Sequence, residues 1–140
     1  MKIMVSACLL GRNCKYNGGN NKNEALLRFL EDHEVIPICP ETDGGLKTPR
    51  KPAEIVGERV MTRDGDDVTR EYKKGAETAL ERAISEKPDL CILQSRSPSC
   101  GVNKIYDGSF TGKLKAGSGI TAALLKDKGF KVTDIEDFKG

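Results

Sequence analysis

The sequence predicts an α/β protein, Rossmann-like, with a mainly parallel sheet and helices on both faces. Three observations carry this reading. Apolar and amphipathic segments alternate in the order strand, helix, strand, hairpin, helix, strand, helix, strand. One run, Leu90-Cys91-Ile92-Leu93, is apolar throughout, the pattern of a strand buried on both faces of a parallel sheet. The length of 140 residues suits one domain, so residues 1–140 read as a single compact layered unit.

The elements follow in order. Residues 2–7 form a short apolar run with Ile3 and Val5 and predict a buried strand. Gly11 to Asn23 is rich in Gly and Asn and reads as loop. Asn23 suits an N-cap for a helix over about 24–32, with Ala25, Leu26, Phe29 and Leu30 as its buried stripe. Residues 34–39 predict a second strand. Pro37 lacks a ladder donor, so that strand is either at an edge or locally irregular. Residues 40–52 read as a long irregular loop, and such loops in a compact domain are usually functional or disordered. Residues 53–69 suggest a hairpin, Glu54-Ile55-Val56 against residues 59–62, with Asp64-Gly65 as a turn.

The span 69–86 gives the clearest helix. Tyr72, Ala76, Ala79, Leu80 and Ala83 share one face, and Pro88 stops it. The strand at 90–93 comes next, then a loop from Gln94 to Gly101. Residues 103–117 hold only weak strand signals. Ser118 suits the cap of a helix over 119–128 with Ile120, Ala123 and Leu124 inward, and 131–133 reads as the last strand.

Composition narrows the function. Lys and Arg number 23 against 21 Asp and Glu, a net +2 that gives no footprint for a polyanion and argues against nucleic acid as the main ligand. No apolar run approaches the roughly 20 residues that span a bilayer. The first ten residues break too early for a signal peptide, so the expectation is a cytoplasmic protein without a membrane partner.

Five cysteines carry the chemical signal: Cys8, Cys14, Cys39, Cys91 and Cys100. An odd number in a leaderless chain does not resemble a disulfide framework. His33 is the only histidine, so Cys–His catalysis and His-rich metal sites lack material. Sites in open parallel sheets form beyond the carboxyl ends of the strands. Cys8 ends the first predicted strand, Cys39 ends the second, and Cys100 follows the strand at 90–93. Three thiols from distant segments therefore converge on one sheet edge. Thiolates without histidine suit a soft metal, above all an iron–sulfur cluster. A four-iron cluster on three cysteines leaves one iron open as a Lewis acid for a substrate sulfur or oxygen. Zinc with Cys14 as fourth ligand is the alternative, although no C-x2-C pair is present. Cys91, inside an apolar strand, reads as plain core.

Other residues carry two readings at this stage. Glu41, two positions after Cys39, is either a general acid or base at the cluster mouth or a solvated loop acid. Ser97 and Ser99 either orient substrate and water or serve turn geometry. Arg50 and Lys47 either bind an anion or a polar base edge, or stand as solvated charges. Gly44-Gly45 and Gly101 let backbone approach a ligand, or simply turn the chain.

Three segments taken together go further. They are Val5-Ser6-Ala7-Cys8-Leu9-Leu10-Gly11 with Cys14-Lys15-Tyr16-Asn17-Gly18, then Cys39-Pro40-Glu41 through Gly44-Gly45-Leu46 to Thr48-Pro49-Arg50, then Ser97-Pro98-Ser99-Cys100-Gly101. The set resembles the thiouracil desulfidases, long catalogued as domain-of-unknown-function family 523, from about residue 2 to 133. The resemblance implies a [4Fe–4S] enzyme that removes sulfur from 2-thiouracil, or a related thiolated pyrimidine, as hydrogen sulfide without net electron transfer. By position, Cys8, Cys39 and Cys100 match the cluster cysteines. Glu41 matches the acidic residue that moves protons. Ser99, or Ser97, orients substrate or water. The sequence departs from the family's Arg-Tyr-Asp-Gly at Lys15 and Asn17, which removes a carboxylate. Sulfur transfer to a tRNA base is the enzymatic rival, and a zinc- or cluster-binding structural or sensor module is the rival from another class.

Overall fold

The computed structural model describes residues 1–139. Strand β1 (Lys2–Ser6) runs through a 3₁₀ turn (Ala7–Leu10) and a loop into α1 (Glu24–Leu30). Strand β2 (Glu34–Ile38) leads into the short α2 (Pro40–Asp43). A hairpin follows, β3 (Ala53–Val56) and β4 (Arg59–Thr62), then the long α3 (Thr69–Glu86). Strand β5 (Leu90–Leu93), a second hairpin of β6 (Lys104–Tyr106) and β7 (Leu114–Ala116), α4 (Ile120–Asp127) and β8 (Val132–Asp134) complete the order.

The central sheet has the order β2-β1-β5-β8, and every neighbouring pair is parallel. Pro37 lies on the edge strand β2, where its missing donor costs no ladder bond. Alternate positions feed opposite faces, so the odd positions of β1 share one face with the even positions of β5, and the even positions of β1 share the other with the odd positions of β5. Ile3, Val5 and Ile92 join Leu9, Leu26 and Leu30 beneath α1. Met4, Cys91 and Leu93 join Ala79, Ala83, Ala122 and Leu125 beneath α3 and α4. Helices thus cover both faces, and each fully buried Leu or Ile contributes about 1.5–3 kcal/mol.

Several details differ from the sequence expectation. The first helix stops at Leu30, and Ala25 is exposed in its first turn. Asn23 does cap it, accepting from Leu26 N at 2.9 Å. The span 40–52 is not loop throughout, because Pro40 starts the helical turn of α2, where proline loses no needed donor. Gly57 turns the first hairpin, and Asp64-Gly65 makes a separate turn after β4. Gly119, not Ser118, caps α4. Ser118 instead donates to the Val102 carbonyl at 2.7 Å.

The buried face of α4 is Thr121, Ala122 and Leu125 rather than Ile120, Ala123 and Leu124. The backbone of Ser99 sets this rotation, since its carbonyl accepts from Thr121 N at 2.9 Å and Ala122 N at 3.0 Å. A Cβ on Gly119 would stand 2.5 Å from that same carbonyl, so α4 docks there only through glycine. The helix therefore holds the Ser97–Gly101 loop from behind.

Candidate active site

The carboxyl ends of β2, β1 and β5 lie side by side, and Ser6 Oγ ties two of them by accepting from Gln94 N at 3.0 Å. Beyond this edge opens a cavity of about 700 Å³. Cys8, Cys14, Cys39 and Cys100 all line it, together with Glu41, Arg50, Tyr72, Ser97 and Ser99. Cys91 stays in the core of β5, fully buried and away from the cavity. Lys47 is exposed and does not line it.

Each thiol sits in its own electrostatic setting. Burial raises the Cys8 thiol above the usual range, and Asn21 Nδ2, donating to its sulfur at 3.6 Å, works against that rise. Burial pushes Cys100 up to about 12. Cys39 moves the other way, to about 6, because the Cys14 thiol donates to it and Thr42 adds further hydrogen bonds. Cys14 is raised in consequence, since it keeps the shared proton. The site therefore gathers thiols that give up protons when a soft cation arrives.

Glu41 is the polar hub. Its Oε1 accepts from Tyr72 Oη at 2.9 Å, Arg50 Nη2 at 3.0 Å and Arg50 Nε at 3.2 Å. Its Oε2 accepts from Ser99 Oγ at 2.9 Å and Ser97 Oγ at 3.2 Å. The ion pair with Arg50 is nearly buried, at 10% and 16% side-chain exposure, where removing either partner leaves an uncompensated buried charge. Arg50 is wholly engaged. Its remaining donors reach the Cys14 carbonyl at 2.8 Å, the Lys47 carbonyl at 3.2 Å and Thr48 Oγ1 at 3.0 Å. No N–H is left over for an anion, so Arg50 braces the carboxylate instead of binding a ligand.

The two serines shape the turn and also reach the carboxylate. Ser97 Oγ accepts from the backbone N–H of Ser99 and of Cys100, both at 3.1 Å, which shapes the turn. The same oxygen lies 2.9 Å from Ser99 Oγ. Ser99 Oγ in turn stands 3.7 Å from Cys100 Sγ. A chain of hydroxyls therefore links the carboxylate Oε2 to the edge of the thiol ring.

Glycine makes this geometry accessible. A Cβ on Gly75 of α3 would stand 1.8 Å from the Pro40 carbonyl, and one on Gly44 would stand 2.0 Å from the Glu71 carbonyl. The two helices touch backbone to backbone, which brings Glu41 under Tyr72. Asn17, by contrast, serves only its own turn, accepting from Gly19 N at 2.9 Å. Tyr72 is the functional residue that the sequence reading placed in the core without a role. Its signal was a single hydroxyl on an alanine face, since a buried tyrosine needs a polar partner.

Among the described residues, no three His, Cys, Asp or Glu side chains stand close enough to share a single metal ion. The thiols on the cavity wall, with no histidine beside them, are soft donors of the kind that hold iron–sulfur groups.

A parallel α/β sheet with thiols and a braced carboxylate at its carboxyl edge defines the class: a protein built to hold a soft metal group beside an acid. The chain belongs to the 2-thiouracil desulfurase family, whose model matches residues 3–137. It is 41% identical over 140 residues to the protein YbbK of Bacillus subtilis (strain 168), with 93% of each chain covered. It is also similar to a solved structure described as the [4Fe-4S]-dependent thiouracil desulfidase TudS. That match has 43% identity and a TM-score of 0.92, and covers 98% of this chain and 92% of the other.

Proposed function

We propose that this chain is a desulfidase that converts 2-thiouracil, or a related thiolated pyrimidine, to the oxo compound with release of hydrogen sulfide. The observation that carries the reading is the hydroxyl chain from Glu41 Oε2 through Ser97 and Ser99 to the edge of the thiol ring. Family membership and the likeness to a [4Fe-4S]-dependent thiouracil desulfidase support it.

Cys8, Cys39 and Cys100 would hold a [4Fe–4S] cluster. Their soft donors, their shared place on the cavity wall and the absence of histidine there fit that group. When bound, the cluster supplies a Lewis-acidic iron toward a thiocarbonyl sulfur. The protein supplies the rest. Three donors fix Oε1 of Glu41, two of them on the Arg50 cation, so Oε2, which meets only the exchangeable serine hydroxyls, is the oxygen that handles a proton. Ser99 Oγ orients water at the thiocarbonyl carbon, and Ser97 Oγ completes the relay. Water adds at carbon and one of its protons passes to Glu41, which returns it to sulfur as the carbon–sulfur bond breaks; the hydroxyl proton left on the adduct departs as the carbonyl forms, so both water protons end on the released hydrogen sulfide. Thiocarbonyl plus water gives carbonyl plus hydrogen sulfide, and no electron is gained or lost.

The expected setting is a single domain over residues 1–140, in the cytoplasm. No helix among the described residues is long and apolar enough to cross a membrane. The test is turnover of 2-thiouracil in ¹⁸O-water under anaerobic conditions without reductant. Uracil carrying one ¹⁸O at the former sulfur position, with one sulfide released per uracil, supports hydrolysis. A requirement for reductant contradicts it.

A further inference from the structure

Glu54 lies apart from the thiols and serines, yet its side chain belongs to the wall of the same cavity. Its Oε1 accepts from Gly108 N at 3.0 Å and from Phe110 N at 3.2 Å. Both donors belong to the turn at 107–112 that joins β6 to β7. This turn carries strain: Phe110 holds φ at +58°, a region unfavourable for a bulky side chain. Such backbone persists only where the surroundings over-determine it. The support comes from β3. A Cβ on Gly108 would stand 2.7 Å from the Ile55 carbonyl, so the turn lies directly on that strand. Tyr106 and Gly112, at the two ends of the turn, line the cavity beside Glu54.

We propose that Glu54 is a positioning residue that latches the 107–112 turn onto β3 and so preforms the outer wall of the substrate cavity. The inference rests on the desulfidase reading only for the identity of the substrate. A wall fixed in advance requires no ordering when substrate arrives, so its loss falls on binding more than on chemistry. One carboxylate serving two backbone donors is a charge-assisted contact, stronger than a neutral pair.

The test combines amide hydrogen exchange with steady-state kinetics on 2-thiouracil, using the anaerobically reconstituted wild type, Glu54→Ala, Glu54→Gln and Gly108→Ala. Glu54→Ala should speed exchange at Gly108 and Phe110 about tenfold and raise KM about tenfold while keeping most of kcat. Glu54→Gln retains an acceptor oxygen and should stay within about threefold of wild type in both readouts. Gly108→Ala should raise KM by the independent steric route. A Glu54→Ala protein whose two amides exchange at the wild-type rate overturns the proposal. So does one that loses kcat at constant KM. Exchange is read on the protein itself, so a wild type inactive on 2-thiouracil would sink the functional reading while the amides still judge the latch.

Discussion

Tyr72 Oη donates to Glu41 Oε1 at 2.9 Å, across the contact between α3 and α2. Burial and the adjacent carboxylate both raise the tyrosine's pKa, so the phenol stays protonated and remains a donor. Together with Arg50 it pins one carboxylate oxygen and leaves the other to the serines. Tyr72→Phe removes that donor and nothing else. It should lower kcat about tenfold while KM and iron content hold. Full activity in this variant would remove Tyr72 from the mechanism.

The contact between Gly75 and Pro40 permits that hydrogen bond. In an exposed helix, replacing glycine by alanine stabilises by about 1 kcal/mol. Here the added Cβ would stand 1.8 Å from the Pro40 carbonyl. Gly75→Ala should therefore destabilise by about 3 kcal/mol in urea unfolding, the opposite sign, because α2 must move away. The same shift carries Glu41 away from Ser99, so activity should fall with stability.

Cys91 supplies an alkaline prediction. Burial pushes its thiol up to about 12 in the folded protein, against an ordinary value of 9.0. Its stabilising contribution is whole below about pH 9 and is lost as pH rises toward 12, at about 1.4 kcal/mol per pH unit, because only the unfolded chain ionises freely there. Urea unfolding from pH 7 to 10.5 should show a shallower alkaline decline for Cys91→Ala than for wild type. Cys91 should also resist alkylation at pH 8 in the folded protein. Labelling there at the rate of a free thiol would refute its burial.

Much of this was legible in the sequence, for reasons that differ by element. Leu90–Leu93 and the span of α3 were readable because unbroken apolarity and a 3.6-residue period are local signals. The convergence of Cys8, Cys39 and Cys100 followed from a topological rule about strand ends. The rotation of α4 was hidden because a tertiary contact, the Ser99 carbonyl, sets it. The partners of Glu41 were hidden for the same cause. Tyr72, Ser97 and Ser99 come from two other segments and Arg50 from the far end of its own, and spacing along the chain does not report a hydrogen bond between them. Arg50 stayed open between a ligand-binding and a solvated charge because its full engagement with Glu41, Cys14, Lys47 and Thr48 exists only after folding.

The serines invite a paired test. Ser99→Ala breaks the shortest link to Oε2 and should cut kcat about a hundredfold. Ser97→Ala also loosens the turn, since two backbone donors lose their acceptor, and should lower both kcat and thermal stability. A Ser99→Ala protein with wild-type kcat would place the relay elsewhere.

The most direct measurement is iron and sulfide content with sulfide release from 2-thiouracil, across single Cys→Ala variants at all five positions after anaerobic reconstitution. The account predicts four irons and cluster-dependent release in wild type. Cys8→Ala, Cys39→Ala and Cys100→Ala each lose both, while Cys91→Ala keeps both and Cys14→Ala keeps the cluster. Loss of the cluster in Cys91→Ala, or its full retention in any of the three others, would contradict the ligand set on which the account stands.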